Sequence, residues 1–449
     1  MIDRNLLRQL HARERENFAL NHPRSAELFA RASEHMPHGV PMSWMAKWPG
    51  DFPVFVERAS GAHFTDVDGL DYIDFCLGDT GAMAGHSPAE TVAAVTKSLP
   101  NGITTMLPTA AAIEVSRELA IRFGVPHWQF TLTATDANRH VIRYARALTG
   151  RHKIVVHDFC YHGSVDEAFA TLDEDGRVVN RRANIGPPVD TAETTLVVPF
   201  NDIDALKAAL ETGDVAAVLI EPALTNIGIV LPDAGYHDAV RALCTQYEAL
   251  LVIDETHTIC TGPGGYTAAH SLDPDFLVIG KAIGGGIPCG TFGMSADVAA
   301  RVEKVVALED IDVGGIGGTL AGNALSMTAM AATLRSVLTP AAFEQMIPLG
   351  KRWADGVAAA IAHYGVPWHV TELGCRAEYA FSPELPRDGA EAAASDDFEL
   401  QQFLHLYALN RGILLTPFHN MALMSPATTE ADVDAHTAMF EACLAELIG

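Results

Sequence analysis

Residues 249–290 read ALLVIDETHTICTGPGGYTAAHSLDPDFLVIGKAIGGGIPCG, and this stretch decides the fold. It holds two short apolar runs, Leu250-Leu251-Val252-Ile253 and Phe276-Leu277-Val278-Ile279, partly β-branched and bounded by Gly, Pro and acidic residues. Runs of this kind without alternation predict buried parallel strands of an α/β protein. Each run delivers charge at its carboxyl end: Asp254 and Glu255 after the first, Lys281 before three glycines after the second. The carboxyl edge of a parallel sheet is where α/β proteins bind ligands.

A lysine and a carboxylate so placed suit pyridoxal 5′-phosphate chemistry. A lysine amine forms a Schiff base with the cofactor aldehyde, and a buried carboxylate keeps the pyridine nitrogen protonated so that the ring withdraws electrons. Taken singly, Lys281 also reads as a solvated strand-end lysine and Asp254 as a helix cap. The pair, with a strand leading into each, favours the cofactor reading.

The rest of the composition narrows the class. The 449 residues bury a large core and are expected to form two unequal lobes. A formal charge of −26 argues against nucleic-acid and anionic-membrane partners, which need basic surface. The seven cysteines lie scattered without CxxC or zinc-site spacing, so no metal is expected and a reducing, cytoplasmic setting is. The charged N-terminus lacks the apolar run of a signal peptide, and no segment is apolar enough to span a membrane.

Before the central stretch, residues 1 to about 60 read as an N-terminal arm, with a helix over Ser25–His35 and an irregular apolar segment containing Ser43 and Trp44. A β-meander over residues 55–75 leads to a small-residue loop at Gly78–His86, in which Asp79 is a turn residue or a pocket carboxylate. A strand at Trp128–Leu132 enters Thr133-Ala134-Thr135-Asp136-Ala137-Asn138, followed by a helix over Arg139–Leu148. Strand, hydroxyl-rich turn and helix N-terminus together suit a phosphate. The strand Lys153–Val156 runs to Cys160-Tyr161-His162-Gly163, where Tyr161 is placed to lie on a ring or simply to pack under a loop. Residues 172–193 read as a surface excursion or lid, and the strand Val215–Ile220 ends in Glu221, with Asn226 just beyond.

After the central stretch, a glycine-dense loop at Asp312–Asn323 carries Thr319 and suits phosphate as well. From about Ser336 a smaller α/β lobe follows, with a helix over Ala341–Tyr364 and strands near Trp368–Thr371 and Ala377–Phe381.

With these motifs in order, the chain resembles class III pyridoxal-phosphate aminotransferases of fold type I, and within them the glutamate-1-semialdehyde aminomutases and their transaminase relatives. The resemblance runs from Asp66-Val67-Asp68-Gly69 to Pro417 and rests on Cys160-Tyr161-His162-Gly163, Glu221-Pro222, Asp254-Glu255, Gly280-Lys281 with Gly284-Gly285-Gly286, and Gly318-Thr319-Leu320. It implies a large domain over 61–335 with a mostly parallel seven-stranded sheet, a C-terminal small domain over 336–449, and residues 1–60 as the arm. It also implies a homodimer with shared sites acting on a small-molecule amino donor and carbonyl acceptor. By resemblance, Lys281 carries the Schiff base and moves the proton, Asp254 pairs with the pyridine nitrogen, and Tyr161 stacks on the ring beside His162. Ala134, Thr135 and Asp136 hold the phosphate, Thr319 reaches it from the partner subunit, and Glu221 stands near the ring oxygen; Thr256, two residues past Asp254, is a further cofactor-site candidate of this sequence's own.

Departures from the family pattern bear on the substrate. Thr256 and His257 follow Asp254-Glu255 where the family has valine and then an apolar or polar residue, so His257 is either an added acid–base group or a structural histidine. Asp79 stands where an aromatic residue is usual. The segment that in aminomutases supplies an arginine reads Met42-Ser43-Trp44-Met45. The expected substrate is therefore an amine, a polar amino compound or an amino acid held by another cation. Arg376 is a candidate for that cation or else a surface or interlobe salt bridge.

Overall fold

The computed structural model describes residues 2–182, 184–305 and 314–448. Asp312 and Val313, at the start of the glycine-dense loop, lie outside them. The chain divides into two units: Met1–Pro88 with Glu344–Leu385 and Ser395–Gly449, and Ala89–Phe343 with Pro386–Ala394.

The first unit is built from both ends of the chain. Strands β1 (Val56–Ser60), β2 (His63–Asp66) and β3 (Asp71–Asp74) form the expected meander. The division differs from expectation at residues 61–88, which group with the C-terminal region and not with the large sheet. The reason is pairing: Ile73 and Asp74 of β3 lie parallel to Ile413 and Leu414 of a later two-residue strand, and Phe75 and Leu414 share a further hydrogen bond. A second sheet of this unit holds Arg376, described below.

The second unit contains the large sheet. Its strands are β4 (His127–Thr131), β5 (Lys153–His157), β8 (Thr195–Val198), β9 (Val215–Ile220), β10 (Leu250–Asp254), β11 (Phe276–Gly280) and β12 (Gly290–Met294), with the short hairpin β6 (Ala170–Leu172) and β7 (Val178–Asn180) outside it. The order is β4-β12-β11-β10-β9-β5-β8; β12 is antiparallel to both neighbours and the other pairings are parallel. Every residue of β9, β10 and β11 is buried, which is why these strands read as unbroken apolar runs and not as alternating ones.

Two local expectations change. The excursion after Leu172 is partly ordered as the β6–β7 hairpin, with Leu172 paired to Val178. The helix expected from Arg139 begins five residues earlier, at Ala134, and runs to Thr149. Thr133 caps it by accepting a hydrogen bond from the Asp136 amide, and Asp136 puts negative charge in the first turn. The turn read as preceding the helix is the helix's own first turn.

Candidate active site

Register places the charged residues together. Ile253 pairs with Ile220 and Asp254 with Val278, so Glu221, Asp254 and Lys281 leave three adjacent parallel strands at one edge of the sheet. Lys281 is the first residue past β11 and adopts a left-handed backbone, φ 52°, a strained conformation for a residue with a Cβ. Beside it, a Cβ on Gly280 would come within 3.1 Å of the Ala134 amide nitrogen, so the phosphate-type helix N-terminus packs directly against the lysine strand.

Asp254 is buried and its carboxylate is fully engaged. Oδ2 accepts from Asn138 Nδ2 at 2.9 Å and lies 3.0 Å from Nδ1 of His162, while Oδ1 accepts from the Thr256 amide at 3.1 Å. Burial pushes the Asp254 pKa up, but His162, Thr256 and Asn138 outweigh it and the net shift is downward. For His162, burial works against the imidazolium, yet Cys160 and the Asp254 carboxylate hold it up to about 10. The pair is a buried carboxylate–imidazolium couple with Asp254 ionised.

Glu221 is buried one strand away. Its Oε2 accepts from the Thr225 hydroxyl at 2.6 Å and its Oε1 from the Tyr161 amide at 3.1 Å. Burial raises its pKa despite these bonds and the nearby His162. The Tyr161 side chain is 39% exposed, set edge-on to Phe169, and Asn226 ties its own loop to the Phe159 carbonyl at 3.0 Å.

The loop of Tyr161 and His162 is fastened to the helix N-terminus. The Ser164 amide donates to the Thr135 hydroxyl at 3.1 Å, leaving the hydroxyl proton to be donated elsewhere. Gly163, at φ +74°, allows this approach, since a Cβ there would lie 2.0 Å from the Thr135 hydroxyl oxygen. The amides of Ala134 and Thr135, in the first helical turn, have no intrahelical acceptor.

Ala134, Thr135, Asp136, Tyr161, His162, Glu221, Asn226, Asp254, Thr256, His257 and Lys281 thus belong to one unit and cluster about these strand ends, where His257 Nε2 lies 2.8 Å from Lys281 Nζ. Thr319, in the same unit, is exposed and lines a cleft of about 490 Å³ with Thr104, Thr105, Met106, Leu107 and Asn323. Ser43, Trp44, Asp79 and Arg376 belong to the other unit. Ser43 and Trp44 are exposed on the short turn Ser43–Lys47, and Asp79 is half-buried with φ 48°. Arg376 is not at the surface: it is 1% exposed on the strand Arg376–Ala380, 3.4 Å from Glu378, which His419 contacts at 3.3 Å. Sequence reading missed Asn138. No local signal marks it, since its partner Asp254 lies 116 positions away.

These residues fit pyridoxal phosphate. They offer an amine on a strand end, a carboxylate held ionised on the neighbouring strand, and helix-terminal amides with a hydroxyl proton for a phosphate. A family model described as aminotransferase class III matches residues 44–444. The chain is 33% identical over 428 residues to a glutamate-1-semialdehyde 2,1-aminomutase from Anaeromyxobacter dehalogenans, spanning 94% of this chain and 98% of that protein. Among solved structures, a glutamate-1-semialdehyde-aminomutase from Pseudomonas aeruginosa PAO1, a lysine-to-alanine variant in complex with PMP, matches with TM-score 0.97 and 47% identity over 99% of both chains. An omega-transaminase from Sphaerobacter thermophilus matches with TM-score 0.87 and 30% identity over 95% of this chain and 98% of its own. Sheet and site together define a fold-type I pyridoxal-phosphate enzyme. The chain belongs to the class III aminotransferase family.

Proposed function

We propose that this enzyme transfers amino groups between a small-molecule amino donor and a carbonyl acceptor, with Lys281 as the amine that attaches the cofactor and then carries protons. When bound, pyridoxal phosphate supplies a ring that stabilises negative charge at the amino-bearing carbon. Asp254, kept ionised by His162 and Asn138, holds the proton at the ring nitrogen. Tyr161 would cover the ring face. Glu221, whose pKa burial raises, would stand beside the ring oxygen. The Ala134 and Thr135 amides and the Thr135 hydroxyl bind the phosphate, with Asp136 and Thr133 keeping the helix end in place.

The observation that carries this reading is the shared register: parallel pairing brings Asp254 and Lys281 to one sheet edge, with Asp254 anchored by Asn138 and His162. The test is the absorption spectrum of the protein with pyridoxal phosphate, titrated with amines and α-, β- and ω-amino acids. Conversion of the cofactor to its amine form by some donors is expected, and Lys281→Ala should lose the band of covalently attached cofactor. An unchanged band in Lys281→Ala would refute the assignment. The glutamate-1-semialdehyde aminomutase relatives favour a second reading, an aminomutase, in which an isomer of the donor appears without any acceptor.

We also infer a homodimer. Met106 and Leu107 are 76% and 74% exposed beside the Thr319 cleft, and Ile113 and Ile121 of the same unit are exposed as well. A second copy seated there would cover apolar surface and meet Thr319. A cytoplasmic setting is supported by seven free cysteines, all buried, and among the described residues no helix is long and apolar enough to cross a membrane. Sedimentation of the purified protein as a monomer would remove the dimer.

A further inference from the structure

We propose that His257 is the proton acceptor that makes the Lys281 amine reactive, a role that rests on the reading of Lys281 as the cofactor-attaching residue. Nε2 of His257 lies 2.8 Å from Nζ of Lys281. Both side chains stand on fixed backbone. Lys281 follows β11 directly, in its left-handed conformation. His257 sits three residues beyond Asp254 and opens the short turn Thr258–Thr261, with the Cys260 amide bonded to its carbonyl. That turn is held from below by buried Glu255, which accepts from the Thr258 hydroxyl and from the Tyr266 and Thr267 amides. The contact is therefore set by two rigid strand ends, not by two mobile surface side chains.

At this separation one nitrogen must donate and the other accept. An imidazolium facing an ammonium leaves no acceptor between them and sets like charges in contact, so the productive state pairs the Lys281 ammonium with a neutral His257 whose Nε2 lone pair faces it. When Lys281 attacks, one ammonium proton passes to Nε2 and frees the nitrogen lone pair for the C–N bond; the other two protons leave with the carbonyl oxygen as water. The same acceptor can take a proton whenever Lys281 is released from the cofactor as an ammonium. Among the described residues, the other ionisable groups around these strand ends are Glu221 on the β9 side, Asp254 with His162 and Cys160, Tyr161, and Asp136 at the helix terminus, while Glu255 accepts from the turn behind them. His257 alone among the histidines described at these strand ends touches the lysine amine, since His162 is committed to Asp254.

The test uses the full-length protein freed of cofactor, with pyridoxal phosphate added and the absorbance of its covalently attached form followed in time from about pH 5.5 to 9, a range that covers histidine titration. The wild-type rate is expected to rise through an ionisation that His257→Gln lacks, and the variant should attach cofactor about ten- to a hundredfold more slowly at neutral pH, with the same amount attached at the end. A His257→Gln protein with the wild-type rate and pH profile overturns the proposal. Should that variant fail to fold by circular dichroism, ¹⁵N-imidazole NMR of wild type against Lys281→Ala decides instead: the Nε2 resonance of His257 and its titration should shift when the amine is removed, and an unchanged resonance overturns the proposal. Wild-type protein that attaches no cofactor, or a Lys281→Ala variant that attaches as much as wild type, would instead refute the role of Lys281 itself and this inference with it.

Discussion

Asp254 and Glu255 are consecutive carboxylates at the end of β10, both buried, and their surroundings shift their pKa values in opposite directions. Asp254 faces the imidazolium of His162 and the amide of Asn138, and its pKa is lowered. Glu255 accepts from neutral donors among the described residues, the Thr258 hydroxyl and two backbone amides, and burial raises its pKa. Desolvation is the largest influence on each, so the difference lies in whether a cation stands opposite. Strand alternation sends the two to different surroundings, and neighbouring residues of the same chemistry serve the site and the scaffold separately.

Four measurements break or sharpen this contrast. The largest effect is expected at Asp254: Asp254→Ala should lower aminotransfer about 10²- to 10³-fold while the protein remains folded, as read by steady-state kinetics beside circular dichroism. Glu255→Ala should do the reverse, costing about 2–4 kcal/mol of stability in denaturant unfolding because three buried donors lose their acceptor; a purely kinetic defect there would break the comparison. Gly163→Ala should cost about 1–3 kcal/mol and loosen cofactor retention, since its Cβ collides with the Thr135 hydroxyl at a positive φ.

The smallest effect is the slope of stability with pH. His162, raised from 6.5 to about 10 in the fold, contributes stability that is complete below 6.5 and is lost as pH rises towards 10. Asp254, lowered, contributes stability that is lost as pH falls below the ordinary carboxylate range; Glu255, raised, opposes stability as pH rises above that range. His162→Asn should therefore flatten the loss of stability between pH 6.5 and 10 in urea titrations. A slope equal to that of wild type would mean that the imidazolium is not stabilised by its surroundings.

The central strands and their charged ends were legible because β9, β10 and β11 are buried on every residue, and such strands declare themselves as apolar runs ending in charged residues. The helix start was misplaced because Thr133 and Asp136 serve equally as turn residues and as cap and first-turn acid, and only the hydrogen bond between them separates the two. Asn138 was passed over since nothing local marks an asparagine inside a helix as the partner of a carboxylate 116 positions away. Arg376 read as a surface or interlobe salt bridge as readily as a substrate cation, and its burial beside Glu378, which His419 contacts, was not legible because those partners mean nothing until the sheet closes over them.

By itself the sequence determined the parallel core, the residues carried to its edge and the family resemblance, because apolar periodicity and motif order are local properties of the chain. Tertiary structure alone decided in which direction each of two adjacent carboxylates is shifted, that Ile73–Phe75 pair with the C-terminal region, and that His257 meets Lys281. Each of these depends on distances between groups remote in sequence, and electrostatic and hydrogen-bond energies are set by those distances and by burial.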